Sequence, residues 1–292
     1  MTTKLAVLGA GRMGSALVRA SVRAGHDTHV WNRDRAKLAP LVAAGAHAAE
    51  TAHAAAAAAD VVIVMVSDRT VGRAIVESAA MAAALRGRLL VDLTSGTPRE
   101  ARDRAAWTAA HEIEALDGAV MVTPDLVGTP RCMVLYDGSR ERLRRHEALL
   151  GFGGRAVHVG TAPGQAAALD AALITSMWGA LFGALQGAAV CQTEGLEVTR
   201  YAEFVEALRE VTQSAVAGTL ARVAAGRFTA DDATKATVAV HHAGVKHLLA
   251  LCDDRGLSRA LPAAFDQLLA AAVRDGHAAD ELAVIARFMQ GA

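Results

Sequence analysis

Lysine is scarce in this chain. Only Lys4, Lys37, Lys235 and Lys246 occur, so the 30 Lys+Arg include 26 arginines, and no lysine lies between residues 38 and 234. A mechanism that needs a lysine amine has four candidates. An excess of one charge is missing as well. Thirty basic residues face 30 acidic ones, whereas nucleic-acid binders carry a clear basic surplus, so nucleic acid is not an expected partner. Cysteine is sparse: Cys132, Cys191 and Cys252 are odd in number and far apart, with no CxxC. That excludes a disulfide framework and a zinc pattern, and fits a reducing cytoplasm. The opening MTTKLAVLGAG carries one basic residue and runs into a strand-like segment, unlike a signal peptide.

What is present is apolar material: 53% hydrophobic residues against 21% charged, which excludes a disordered chain. The longest uncharged stretch, residues 171–193, could span a bilayer by length. It holds Thr175, Ser176, Gln186, Gln192 and several glycines, with Asp170 and Glu194 at its ends rather than basic flanks. A helix apolar all round is equally at home inside protein, and a soluble, buried helix is the expectation, with no membrane partner.

The first half alternates. Strands are expected at 5–8, 28–31, 61–66, 89–93, 113–116, 133–135 and 156–159, and helices at 12–24, 35–44, 71–85 and 98–110. This is the pattern of a doubly wound α/β sheet. Ala54–Ala59 reads as a helix-forming surface turn. Beyond Gly164 the expectation is all helix: about 165–193, 201–225, 232–255, 262–275 and 280–289. The expected division is a dinucleotide-binding domain over 1–160, an interdomain helix over 161–194 and a helical domain over 195–292.

Gly9-Ala10-Gly11-Arg12-Met13-Gly14 is a GxGxxG between the first strand and the first helix. In that context it points to a pyrophosphate seated on a helix N-terminus. An NAD site places an acid at the end of the second strand. Here the strand ends Trp31-Asn32-Arg33, with Arg35 and Lys37 beyond. Amide and guanidinium groups suit a 2′-phosphate, so NADPH is the expected cofactor. Asp34 could be a displaced ribose acid, and reads better as a helix N-cap. Ser67 and Thr94-Ser95 follow the third and fourth strands, where ligands bind in open α/β sheets; each could instead cap the next helix.

GAGRMG, Gly25-His26 and Val30-Trp31-Asn32-Arg33 resemble the β-hydroxyacid dehydrogenase superfamily. Asp92-Leu93-Thr94-Ser95-Gly96-Thr97-Pro98, Asp117 through Pro124, Val127-Gly128-Thr129-Pro130, Leu135-Tyr136-Asp137-Gly138 and Gly160 through Gly164 narrow it. With Asp170-Ala171-Ala172-Leu173, Leu261 through Ala264 and Ala272 through His277, they resemble the NADPH-dependent imine reductases and reductive aminases over essentially the whole chain. The resemblance implies an N-terminal Rossmann domain, a long interdomain helix and an all-α C-terminal domain, in an intertwined homodimer with shared active sites.

Hydroxyacid dehydrogenases of that superfamily carry a lysine early on the interdomain helix. The matching stretch, Gly164 to Asp170, has none; the imine reductases place an Asp or a Tyr in this region, and Asp170 matches the Asp type. A carboxyl group can protonate an imine or stabilise an iminium, and isolation in an apolar segment should raise its pKa; helix capping or an arginine partner is the structural alternative. Trp178 lies a little over two turns further along and shares that face approximately. His241, His242 and His247 have poor spacing for a metal, and none is expected. The expected cofactor residues are Gly9, Gly11, Arg12, Met13, Gly14, Asn32, Arg33, Lys37, Val66, Ser67, Thr94 and Ser95. The expected substrate pocket is Ser95, Met121, Trp178, Val240 and His241, the last two from the second chain. Departures from the family pattern include Leu169 before the aspartate, Ser95 and Trp178 where reductive aminases often carry Asn and Tyr, and Val240-His241 in place of a Met-Trp pair. They bear on reductive amination and specificity. The competing readings are a carbonyl-reducing hydroxyacid dehydrogenase and a non-catalytic NADPH-binding protein.

Overall fold

The computed structural model describes residues 3–290. Leu5–Leu8 (β1) and Val61–Val64 (β4) are fully buried apolar runs, as strands covered on both faces must be. Their side chains alternate between two cores. Leu5, Val7, Val61 and Ile63 join one, and Ala6, Leu8, Val62 and Val64 the other. Thr28–Trp31 (β2), His47–Ala48 (β3), Leu89–Asp92 (β5), Glu114–Val120 (β6), Met133–Gly138 (β7) and Arg155–Gly160 (β8) complete one sheet of order β3-β2-β1-β4-β5-β6-β7-β8. Every pair is parallel except β6–β7, which is antiparallel. The helices between them are Arg12–Arg23 (α1), Ala39–Val42 (α2), Ala52–Ala57 (α3), Arg69–Val76 (α4), Ala79–Leu85 (α5), Pro98–Ala110 (α6), Arg140–Arg145 (α7) and Glu147–Leu150 (α8).

Several expected elements are divided or moved. The helix expected over 35–44 is a 3-10 turn, Arg35–Lys37, followed by the short α2. Pro40 sits in the first turn of α2, where its missing N–H forfeits no helical bond, so it marks a new helix start rather than the interior of a longer one. The helix expected over 71–85 is α4 and α5, because Ser78 caps a new start by accepting the Met81 N–H at 3.2 Å. The two-residue strand β3 has no sequence expectation behind it. The alanine run is helical as expected, with Ala54 and Ala57 exposed, but Ala55 and Ala56 are completely buried, so one face of it is core rather than surface. Small side chains let α3 approach the sheet closely.

The 29-residue helix Gln165–Thr193 (α9) has the expected bounds. Contacts divide the chain within it, between Thr175 and Ser176. In the second unit, the helix expected over 201–225 is two, Val198–Ala207 (α10) and Arg209–Ala224 (α11). Val238–Arg255 (α12) begins six residues later than expected and ends at the left-handed Gly256. Ala260–Arg274 (α13) follows, and 282–289 is a 3-10 helix started by Glu281, which accepts the Ala283 N–H. Val238, Leu269, Ala272, Val284 and Ile285 form this unit's small core. Apolar side chains along α9 from Met177 to Leu185 are exposed in the single chain.

Candidate active site

A cleft of about 650 Å³ opens at the carboxyl ends of β1, β2 and β4. Gly9, Gly11, Arg12, Met13, Gly14, Asn32, Arg33, Lys37, Val66 and Ser67 all line it. Gly9 has φ +119°, and a Cβ there would run into the Met65 carbonyl; one at Gly14 would run into the carbonyl of Gly9. The turn therefore folds tightly against β4 and brings bare backbone to the cleft. Helix α1 has Gly11 as its N-cap residue and no side-chain cap, which leaves its N-terminal dipole directed at the cleft.

Asn32 has a definite structural task. Its Oδ1 accepts the Ala10 N–H at 3.0 Å and its Nδ2 donates to the Asp34 carbonyl at 2.9 Å. The amide thus ties the glycine turn to the end of β2. Asp34 accepts the Ala36 N–H and caps the 3-10 turn, as its reading as an N-cap anticipates. Arg33 and Lys37 flank the cleft, whereas Arg35 does not line it.

Val71, Ala74 and Ile75, together with Trp31, form an apolar wall that the sequence reading missed. Their signal was available: the first three lie at i, i+3 and i+4 on the helix that follows Ser67-Asp68. That helix is capped by Asp68, which accepts the Val71 N–H at 2.8 Å and a hydrogen bond from the Ser67 hydroxyl at 2.9 Å. These two bonds hold the Asp68 carboxyl below its ordinary range.

Thr94 and Ser95 lie apart from the lining of that cleft. Thr94 is buried and joins the ends of β4 and β5; its Oγ1 accepts the Val66 N–H at 3.4 Å and its N–H donates to Asp92 Oδ1 at 3.0 Å. Ser95 is exposed. It does not cap α6, because Thr97 and Glu100 form a complete capping box. Met121 is half-buried, and its N–H donates to the Met133 carbonyl. Trp178, Val240 and His241 belong to the second unit. There Trp178 is 51% and Val240 60% exposed, and the Trp178 ring packs 5.7 Å from Phe182. His241 is half-buried, and its neighbour His242 bonds Asp266 at 2.9 Å.

Asp170 is 8% exposed on α9. Neither structural alternative applies, since its carboxylate neither caps the helix nor meets an arginine among the described residues. Burial is the sole cause that pushes its pKa up. A second group of buried charges, Arg69, Asp92, Asp117 and Asp137, sits where the carboxyl ends of β5 and β7 flank the middle of β6. The sequence reading gave it no role, although each aspartate closes or interrupts an apolar strand.

Two family models match the chain. The NAD binding domain of 6-phosphogluconate dehydrogenase covers residues 4–178, and the C-terminal domain of NADPH-dependent reductive aminase-like proteins covers 162–291. The class is therefore a Rossmann-type dinucleotide oxidoreductase with a helical second domain. An NADPH-dependent reductive aminase from Aspergillus oryzae is 29% identical over 99% of this chain and 98% of its own length. The structure of an imine reductase from Myxococcus stipitatus in complex with NADP+ is 42% identical, covers 98% of this chain and 100% of that one, and superposes with a TM-score of 0.94. A reductive aminase from Aspergillus terreus in complex with NADPH and ethyl levulinate is 28% identical over 99% and 100%, with a TM-score of 0.89. The chain belongs to the imine reductase and reductive aminase family.

Proposed function

We propose that this chain reduces imines, cyclic ones among them, to amines with NADPH. Gly9, Gly11 and Gly14 seat the pyrophosphate together with the N-terminal amides of Arg12 and Met13. Arg33 and Lys37 hold the 2′-phosphate by charge-assisted hydrogen bonds, and Asn32 keeps the turn in place for them. Val66, Ser67, Thr94 and Ser95 border the nicotinamide side. Bound NADPH supplies the hydride.

Asp170 bonds the imine nitrogen, as proton donor when neutral and as counter-charge when ionised. A buried carboxyl with a raised pKa suits both states near neutral pH. This isolated carboxyl, on a helix with no lysine, is the observation that carries the reading. A lysine there would repel an iminium. Ser95, Met121 and Trp178 shape the substrate pocket, with Val240 and His241 contributed by a second chain. A second copy covers the exposed apolar faces of α9. The acids Asp170 and Glu194 at the ends of its uncharged stretch favour protein over lipid as that cover. Free thiols at Cys132, Cys191 and Cys252 fit a cytoplasmic location.

The test is NADPH oxidation with a five- or six-membered cyclic imine, comparing wild type with Asp170→Ala and Asp170→Asn. We expect kcat/KM to fall by about 10²–10⁴-fold with NADPH affinity unchanged. Turnover of a hydroxyacid or semialdehyde but no imine, or an Asp170→Asn enzyme as active as wild type, would refute the assignment.

A further inference from the structure

We propose that Arg69, Asp92, Asp117 and Asp137 form a buried ionic relay that positions the Ser95–Pro98 turn against the first turn of α9, with Asp117 as the positioning residue whose charge governs the alignment. The proposal rests on the roles given above to Ser95 and Asp170.

Strand register brings the carboxylates together. Asp92 pairs with Asp117, and Asp117 with Asp137, across β5, β6 and β7. Paired residues on neighbouring strands share a face, so three buried carboxylates stand in a row. Buried like charges are costly unless each is compensated, and here the compensation is uneven. Asp92 Oδ2 lies 3.0 Å from Arg69 Nη1 and 3.3 Å from Arg104 Nε, while Oδ1 accepts the Thr94 N–H. Asp137 Oδ2 accepts the Gly164 and Ala166 N–H groups, both at 2.9 Å, at the positive end of α9. Asp117 has only Arg69, whose Nη1 lies 2.7 Å from Oδ1. No protein donor among the described residues meets its Oδ2.

Both ends of the row reach the proposed chemistry. A Cβ at Gly96 would collide with Cγ of Arg69, so the turn after Ser95 rests directly on the arginine stem. A Cβ at Gly164 would lie 2.7 Å from the Pro98 carbonyl oxygen, so the entry to α9 packs on the same turn. Asp170 follows Ala166 by little more than one helical turn. Movement of Arg69 or Asp137 is thereby passed to both sides.

The charged groups around Asp117 are Arg69 on α4, Asp92 on β5 and Asp137 on β7. Behind them stand Arg104 on α6 and Glu77 at the end of α4, 3.4 Å apart. Burial pushes the Asp117 carboxyl up to about 7, with Arg69 opposing. Above that pH an ionised Asp117 and Asp92 hold Arg69 from both sides beneath Gly96. Below it the first hold is lost. On this account kcat climbs as pH rises through about 7, separately from any fall caused by deprotonation of Asp170.

The test is Asp117→Asn, which mimics the protonated state. Three quantities are read: NADPH affinity, the kcat–pH profile with a cyclic imine, and amide hydrogen-exchange protection of residues 164–168 at about pH 6 and about pH 8. We expect NADPH affinity within about twofold of wild type, kcat at about pH 8 lower by about tenfold to a hundredfold, and the rising limb gone. Protection of 164–168 at the higher pH should drop to the wild-type value at the lower pH. A variant that keeps the rising limb, or wild-type protection at both pH values, overturns the relay. Should Asp117→Asn fail to fold, Asp137→Asn is read instead. Exchange at Gly164 and Ala166 should then be about tenfold faster, and unchanged exchange overturns the proposal. A wild type that turns over no imine rejects the functional reading, and the exchange comparison alone then decides the relay.

Discussion

The amide of Asn32 is committed on both sides, to the Ala10 N–H and to the Asp34 carbonyl. On the proposed reading, preference for the 2′-phosphate then falls to Arg33 and Lys37, both of which line the cleft. The double variant Arg33→Ala/Lys37→Ala should bind NADPH about 10–100-fold more weakly and NADH within about threefold of wild type, by fluorescence titration. Equal losses for both cofactors would remove these residues from the 2′-phosphate. Asp170 poses a different question at this scale, because burial raises its carboxyl pKa. The folded state then holds a proton that the unfolded chain has released. Stability from this group is present at low pH and falls as pH rises from the ordinary carboxylate range through the raised value. Asp170→Asn should therefore melt at the wild-type temperature near about pH 4 and above it near about pH 8. Scanning calorimetry at the two pH values checks this, and a variant that melts lower at both would contradict the burial account.

Among the elements, α3 shows how composition can mislead. Six residues of its helix are AHAAAA, which as a string suggests a neutral surface filler. In the fold Ala55 and Ala56 are fully buried beside Ala6, Leu8, Val62 and Val64. A longer side chain at either position would have to displace closely packed neighbours. Ala56→Leu should overpack this layer and cost about 1–3 kcal/mol, at roughly 2–4 °C of Tm per kcal/mol. An unchanged melting temperature would return the segment to the surface. The breaks between α4 and α5 and between α10 and α11 have the same lesson. Apolar periodicity runs through Ser78, but a hydroxyl that accepts the Met81 N–H starts a new helix axis there.

At the scale of the whole molecule, α9 is the element whose apolar side chains the single chain leaves uncovered. Trp178, Phe182 and Leu185 are half or more exposed, Leu185 at 65%. A contiguous apolar surface of this kind marks an association site. With a second copy as its cover, light scattering should give about twice the 30.2 kDa chain mass. Leu185→Asp should give the single-chain mass and lose imine turnover while still binding NADPH in the cleft of the first unit. A wild-type monomer with full activity would refute the shared site.

The chain's local chemistry is legible without coordinates. The buried runs of β1 and β4, the glycine turn, the bounds of α9 and the missing lysine follow from residues within a few positions of one another. Asp170 stood out for the same reason, as one charge in an apolar stretch. What tertiary structure alone decided are pairings across long separations. The Asn32 amide meets Ala10, 22 residues away, and Asp137 meets Gly164, 27 residues away. Ala55 and Ala56 became core through neighbours on other strands. Asp92, Asp117 and Asp137 form a row only once β5, β6 and β7 take their register. Periodicity along the chain reports which face a side chain occupies. It carries no information on which distant group will stand opposite, and for buried charges that partner sets both the energy and the chemistry.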